Sequence, residues 1–121
     1  MGSVSLAQVA AHEAAHAVVA AHYGVPVLRV VAGERSGFTE REDVGTTAQA
    51  AAITAAGEVG QRLAGGRFFD LACGDLADFE ARFGLGRLWR AQRDAREILT
   101  ARRAAWLDLA AWLVRERRIE F

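Results

Sequence analysis

Residues 5–23 are dominated by alanine, and that feature limits the backbone there to one regular form. Alanine loses no side-chain freedom in a helix and is the strongest helix former, so the run predicts an α-helix from Ser5 to Tyr23. Ser3 or Ser5 can cap its start, and Gly24 followed by Pro26 ends it. The run is not uniformly apolar: Gln8, His12, Glu13 and His16 interrupt the stretch from Val4 to Val19. A signal sequence or a membrane span does not carry such interruptions. The expectation is a soluble, cytoplasmic protein without membrane insertion.

The remaining segments are read the same way. Val25 to Val31 is β-branched and too short for a helix, which predicts a strand, and a second short strand is expected at Phe38-Thr39 within the polar loop Gly33–Gly45. Thr46 or Thr47 caps a second alanine-rich helix that reaches Leu63 and stops at Gly65-Gly66. Gly57 and Gly60 inside it weaken a helix by about 1 kcal/mol each, which points to another element packed closely against them. A short helix is expected over Asp75–Phe83, then continuous helix from Arg87 to Arg118, in one segment or two. Leu99, Trp106, Leu109, Ala110 and Leu113 share one stripe of it, and Trp89, Trp106 and Trp112 are read as core. The fold class expected is therefore mainly α with a small β element of one or two short strands, and 121 residues fit one domain, 1–121.

Charge excludes some function classes. The 15 positive side chains are all arginine and are balanced by 15 acids, so a general nucleic-acid binder is not expected, and Arg102-Arg103 and Arg115 to Arg118 are read as solvated helix faces. Without lysine there is no lysine nucleophile and no phosphate-loop lysine. The single Cys73 precludes an internal disulfide framework.

His12-Glu13-Ala14-Ala15-His16 is the motif that carries chemistry. Residues four apart on a helix differ by about 40° around its axis, so both imidazoles project from one face and can hold one Zn2+ ion. Glu13 is set about 100° from His12, beside the metal, where its carboxylate can take a proton from a water acidified by zinc and pass it to a leaving amine. A catalytic zinc takes a third protein ligand. His22 has the spacing of the metzincin pattern HExxHxxGxxH, but Val19 stands where that pattern needs its helix-breaking glycine, and the only methionine is Met1. Glu58 is a second candidate. The cluster from Cys73 to Asp78 is a third: Asp75 and Asp78 are three apart on one face, Asp75 also reads as an N-cap, and Cys73 as a small buried residue.

The order of these motifs resembles the peptidase domain of the FtsH-type AAA+ zinc proteases across nearly the whole chain. His12 to Val19 is similar to that family's HEAGHA helix, with Ala15 in place of a glycine. Val27 to Val31 and Gly37-Phe38-Thr39 resemble its next strand and glycine-aromatic-threonine step, Ala56-Gly57-Glu58 its following helix, and Ala95 to Glu116 its closing helices. Asp75-Leu76 resembles the family's Asn-Asp-Leu segment, although Gly74 replaces the asparagine and Phe79 an alanine. The resemblance implies a zincin-like helical peptidase domain: a zinc-dependent metallopeptidase with His12, His16 and Asp75 as ligands and Glu13 as general base. It leaves Asp78 as competitor or as a partner to a histidine, and Glu58 as structural. No phosphate loop or transmembrane anchor occurs in the sequence, so the expected substrates are peptides or flexible polypeptide segments that enter unaided, or are delivered by an ATPase or adaptor partner. The Val25–Val31 strand has two readings, an open edge to which they add as a further strand, or a strand simply packed under the helix. The alternative function is a zinc-binding regulatory module of the same kind with weak or no turnover.

Overall fold

The computed structural model describes residues 5–65 and 70–121, with side chains from 75 onward in the second stretch. Ser3, Gly66 and the side chain of Cys73 lie outside the described residues. Helix α1 (Leu6–His22) begins at Ser5, whose hydroxyl accepts from the Gln8 backbone while the Gln8 side chain accepts from the Ser5 N–H. Helix α2 (Thr47–Leu63) begins with the same reciprocal pair, Thr46 and Gln49. Each box satisfies two of the N–H groups that a helix start leaves without intrahelical partners.

Strands β1 (Val27–Ala32) and β2 (Gly37–Arg41) form a hairpin between these helices. Helix α3 (Asp70–Phe83) starts five residues before the expected point, which puts Asp75 inside a helix and removes the N-cap reading. A 3-10 turn at Leu85–Arg87 leads into α4 (Leu88–Ala101), and a break at Arg102 separates it from α5 (Arg103–Glu116). Arg117 then takes a left-handed conformation, φ 64°, which reverses the chain into β3 (Arg118–Glu120).

The β element is larger than expected, an antiparallel sheet of three strands in the order β2-β1-β3. The tail at Ile119-Glu120 is thus a strand, with Val30 opposite Ile119. β1 is consequently central, and the reading in which it offers an open edge is overturned. Among the described residues, the open edges belong to β2 and β3. Their role could not be read from a three-residue tail that becomes a strand only by pairing with a partner far away in sequence.

Helix α1 is the centre of the molecule, packed against α2, α5, β1 and β2. Its alanines make that possible, because short side chains let neighbours approach the helix axis. A Cβ added at Gly60 of α2 would lie 2.5 Å from Ala15 Cβ, closer than real side chains come. Val9, Val19, Val30, Leu99, Trp106 and Leu113 fill the space around this contact and are essentially inaccessible. Trp106 also donates its Nε1–H to the Ala11 carbonyl at 2.9 Å, tying α5 to α1. The other two tryptophans are not core: Trp89 is 71% exposed and Trp112 44%. Trp89 stands off the Ala91–Ala95–Ile98–Leu99 face that α4 buries, and Trp112 off the Trp106–Ala110–Leu113 face that α5 buries. Among the described residues, no helix is long and apolar enough to cross a membrane.

Candidate metal centre

Burial defines the site before its chemistry does. Because α1 is enclosed by α2, α4, α5, β1 and β2, its polar residues are enclosed with it: His12 is 1% exposed and Glu13 4%. A polar group placed so deep is costly unless every hydrogen-bonding atom finds a partner. The partners come from α2, α3 and β2.

His12 and His16 lie one helical turn apart with ring centroids 5.0 Å apart, and Asp75 reaches them from α3. Asp75 Oδ2 is 2.8 Å from His12 Nε2 and 3.0 Å from His16 Nε2. Among the described residues, these three form the one group of histidine, cysteine and acidic side chains whose atoms converge as a metal site requires, all within 4.8 Å of one another. On the far side of each ring, His12 Nδ1 lies 3.0 Å from Gln61 Oε1 and His16 Nδ1 lies 2.6 Å from the Ile53 carbonyl. A carbonyl oxygen can only accept, so each Nδ1 carries the hydrogen and donates it. In the neutral ring that leaves an Nε2 lone pair, and both lone pairs are aimed at a carboxylate oxygen. Three electron pairs at such distances repel unless positive charge sits among them, as protons or as a cation.

The donor set suits a cation well. Two imidazole nitrogens and one carboxylate oxygen are the ligands of many catalytic zinc sites, with bonds of about 2.0–2.2 Å. Tetrahedral bonds of that length separate donors by about 3.3 Å, so an outward movement of a few tenths of an ångström accommodates the ion. Room for it is made by Gly57. A Cβ at that position would clash with the Nε2 atoms of both histidines and lie 2.7 Å from Asp75 Oδ2. The glycine that weakens α2 is therefore where the three donors meet.

Electrostatics agree with this geometry. Burial pulls the His16 pKa down, but the hydrogen bond and charge of Asp75, with Glu13 and the Ile53 carbonyl, outweigh it and raise the value to about 9. Burial opposes ionisation of Asp75, yet its contacts with His12 and His16 hold its carboxyl well below the usual range. The pair favours a positive charge at Nε2 beside a fixed negative one.

Glu13 and Thr39 form the wall beside the donors. The Thr39 hydroxyl lies 2.9 Å from both Glu13 Oε1 and the Glu13 carbonyl, and its one hydrogen is donated there. β2 comes this close because Gly37 has no side chain; a Cβ there would meet Glu13 Cγ and Val9 Cγ1 at 3.0 Å and the Val31 carbonyl closer still. Glu13, His16, Thr39 and Asp75 line an open cleft of about 250 Å³, with Arg41 and Arg82 at its margin.

The other candidates stand apart from the donors. Asp78 lines the cleft but is half exposed and pairs with Arg82 at 3.4 Å; the histidines have Gln61 and Ile53 as partners instead. Glu58 faces α4, where it accepts from Gln92 Nε2 at 3.4 Å and pairs with Arg62. His22 accepts from Arg102 Nε at 2.8 Å on the surface. Sequence reasoning missed Gln61 and did not assign Gly57 or Thr39 to the site. The spacing of Gly57 and Gln61, four apart and so on one face of α2, was the available signal. No protein-family model matches the chain, and no curated protein matches it.

Proposed function

We propose that this chain is a zinc-dependent metallopeptidase, with His12, His16 and Asp75 holding the metal and Glu13 acting as general base. The observation that carries the reading is the convergence of three donor atoms over Gly57, two of whose residues, His16 and Asp75, line the cleft that Glu13 also lines. Bound zinc supplies Lewis acidity, polarising a peptide carbonyl and lowering the pKa of water. Glu13 takes the proton from the attacking water and delivers it to the amine that leaves when the C–N bond breaks. The Thr39 hydroxyl holds the Glu13 carboxylate in position for both transfers. Gln61 and the Ile53 carbonyl keep the hydrogen on Nδ1, so that each Nε2 stays available.

Substrate enters along β2. That strand pairs with β1 on one side only, and its Gly37, Phe38 and Thr39 border the cleft. An extended peptide can add there as a further strand, its backbone held by the free edge and its carbonyl brought to the donors. The resemblance to FtsH-type peptidases belongs to the same proposal, as does an ATPase or adaptor that delivers longer substrates.

Metal content and peptide cleavage measured on four proteins test the reading. Wild type, Glu13→Gln and Asp78→Ala are expected to hold about one zinc per chain, and Asp75→Ala to lose it. Wild type is expected to cut members of a diverse fluorogenic peptide library, and Glu13→Gln to cut none. Cleavage that survives in Glu13→Gln ends the peptidase assignment. Tight zinc with no cleavage by wild type identifies the regulatory module instead.

A further inference from the structure

The cleft has a charged end that the proposed chemistry does not use. Along β2, Gly37, Thr39 and Arg41 alternate with the more exposed Phe38 and Glu40, so Arg41 shares a face with the threonine that holds Glu13. Two residues of strand advance about 7 Å, which places Arg41 one or two substrate residues from the reacting carbonyl of a peptide laid along this edge. Arg82 reaches the same cleft from the last turn of α3.

The two guanidinium groups are differently engaged. Arg82 is paired with Asp78 at 3.4 Å and lies over the Phe83 ring, 4.9 Å from its centroid. Arg41 is half-buried, and its hydrogen bond among the described residues is Nη1–H to the Glu42 carbonyl at 3.2 Å. Burial and the nearby positive charge of Arg82 hold the Arg41 guanidinium below its usual range, partly offset by Asp43 and Asp78. A divalent ion would be neutralised by Asp75 and Glu13, and Arg82 by its pairing with Asp78. Among the described residues Arg41 has no carboxylate within ion-pair distance, Asp43 and Asp78 acting on it only from farther off, so most of its planar donor fork is free to meet an anion.

We infer that Arg41 selects substrates bearing a carboxylate within two residues of the cleaved bond, gripping it with the guanidinium fork. The inference rests on the peptidase reading. A carboxylate can come from an Asp or Glu side chain or from a free chain terminus, and both present the same pair of oxygens to the fork.

Matched decapeptides separate these cases: each carries Asp, Asn or Lys near its centre and ends in either a free acid or an amide. Binding is read by fluorescence anisotropy on the zinc-loaded Glu13→Gln protein, and cleavage on wild type. Acid-bearing peptides are expected to bind and be cut about tenfold or more better than their neutral partners, the range of a charge-assisted hydrogen bond. Arg41→Ala should lose the preference, Arg41→Lys keep part of it, and Arg41→Glu shift it toward the Lys peptides. Dependence on Asp assigns the side chain as the source, and dependence on the free acid assigns the terminus. Equal binding of acidic and neutral peptides, or a preference that persists in Arg41→Ala, overturns the inference. A binding preference without any cleavage overturns the peptidase reading alone.

Discussion

Replacing Gly57 with alanine separates the metal centre from the fold that carries it. The added Cβ would clash with both histidine Nε2 atoms, and Asp75 Oδ2 would lie 2.7 Å from it. An ordinary contact is at least 3.4 Å, so Asp75 alone must retreat by about 0.7 Å. Metal–ligand bonds tolerate deviations of only about 0.2 Å, so zinc affinity should fall at least about 100-fold. The metal-free fold should lose up to about 2 kcal/mol, as Gly60→Ala should, because alanine gains about 1 kcal/mol of helix propensity while overpacking costs about 1–3 kcal/mol; the zinc-induced shift is therefore the quantity that separates the two variants. Zinc at a thousand times its Kd stabilises wild type by about 4 kcal/mol, and a 100-fold weaker variant by about 1.4 kcal/mol. For a chain of this size the zinc-induced rise in melting temperature should therefore shrink by about 10 °C. Thermal unfolding with and without zinc, beside competition with a chromogenic chelator, reads both quantities. Gly60→Ala is the control: its Cβ would crowd Ala15 and, at 3.3 Å, Trp106, but no donor atom. It should lower the melting temperature in both states and leave the zinc shift intact. A full zinc shift in Gly57→Ala would refute the placement of the metal over this residue.

Gln61→Leu removes the acceptor of the His12 Nδ1 hydrogen and should weaken zinc binding about 10–100-fold; chelator competition giving wild-type affinity would show that Gln61 does not orient the ring. Without metal, the His16–Asp75 contact should make stability depend on pH with a definite sign. The raised His16 pKa contributes stability fully below 6.5 and loses it as pH rises through about 9, and the lowered Asp75 pKa contributes above 3.8 and loses it as pH falls further. The melting temperature of metal-free wild type should thus exceed that of Asp75→Asn most between pH 4 and 6.5, and a gap that grows above pH 9 would contradict the pairing. Trp106→Phe removes the bond to Ala11 and opens a cavity in the main core, and should cost about 2–4 kcal/mol in urea unfolding. A loss under about 0.5 kcal/mol would mean that α5 is not anchored there.

Helices α1 and α2 were legible because local signals agreed: alanine propensity, a Ser or Thr cap, and a glycine stop. What was not legible depended on distant partners. β3 is three residues long and exists through its pairing with β1, and that pairing alone makes β1 central. The start of α3 was misplaced because Asp75 resembles a cap by residue type, although the preceding turn is already helical. Trp89 and Trp112 were misread for a similar reason. Residue type says that a tryptophan buries well, but only the orientation of α4 and α5 decides which ones do.

The candidate site divides along the same line. His12, Glu13 and His16 declare themselves because one helix fixes their relative positions through a spacing of four. Asp75 was singled out by resemblance and by residue type, not by any distance the sequence contains. Gly57, Gln61 and Thr39 were not assigned, since each matters only through what another element brings to it. Yet these residues explain why a helix at the centre of the molecule carries histidines and an acid at all. Apolar side chains in those positions would pack α1 with no desolvation penalty. Instead the chain keeps a glycine in α2 to leave space, a glutamine to hold one ring, a backbone carbonyl for the other, and a threonine for the acid. Four separate accommodations around three buried polar residues oppose the packing that the rest of the core follows. A purely structural role for His12, Glu13 and His16 gives no reason for these accommodations to converge on one point beside the cleft; the proposed cation does.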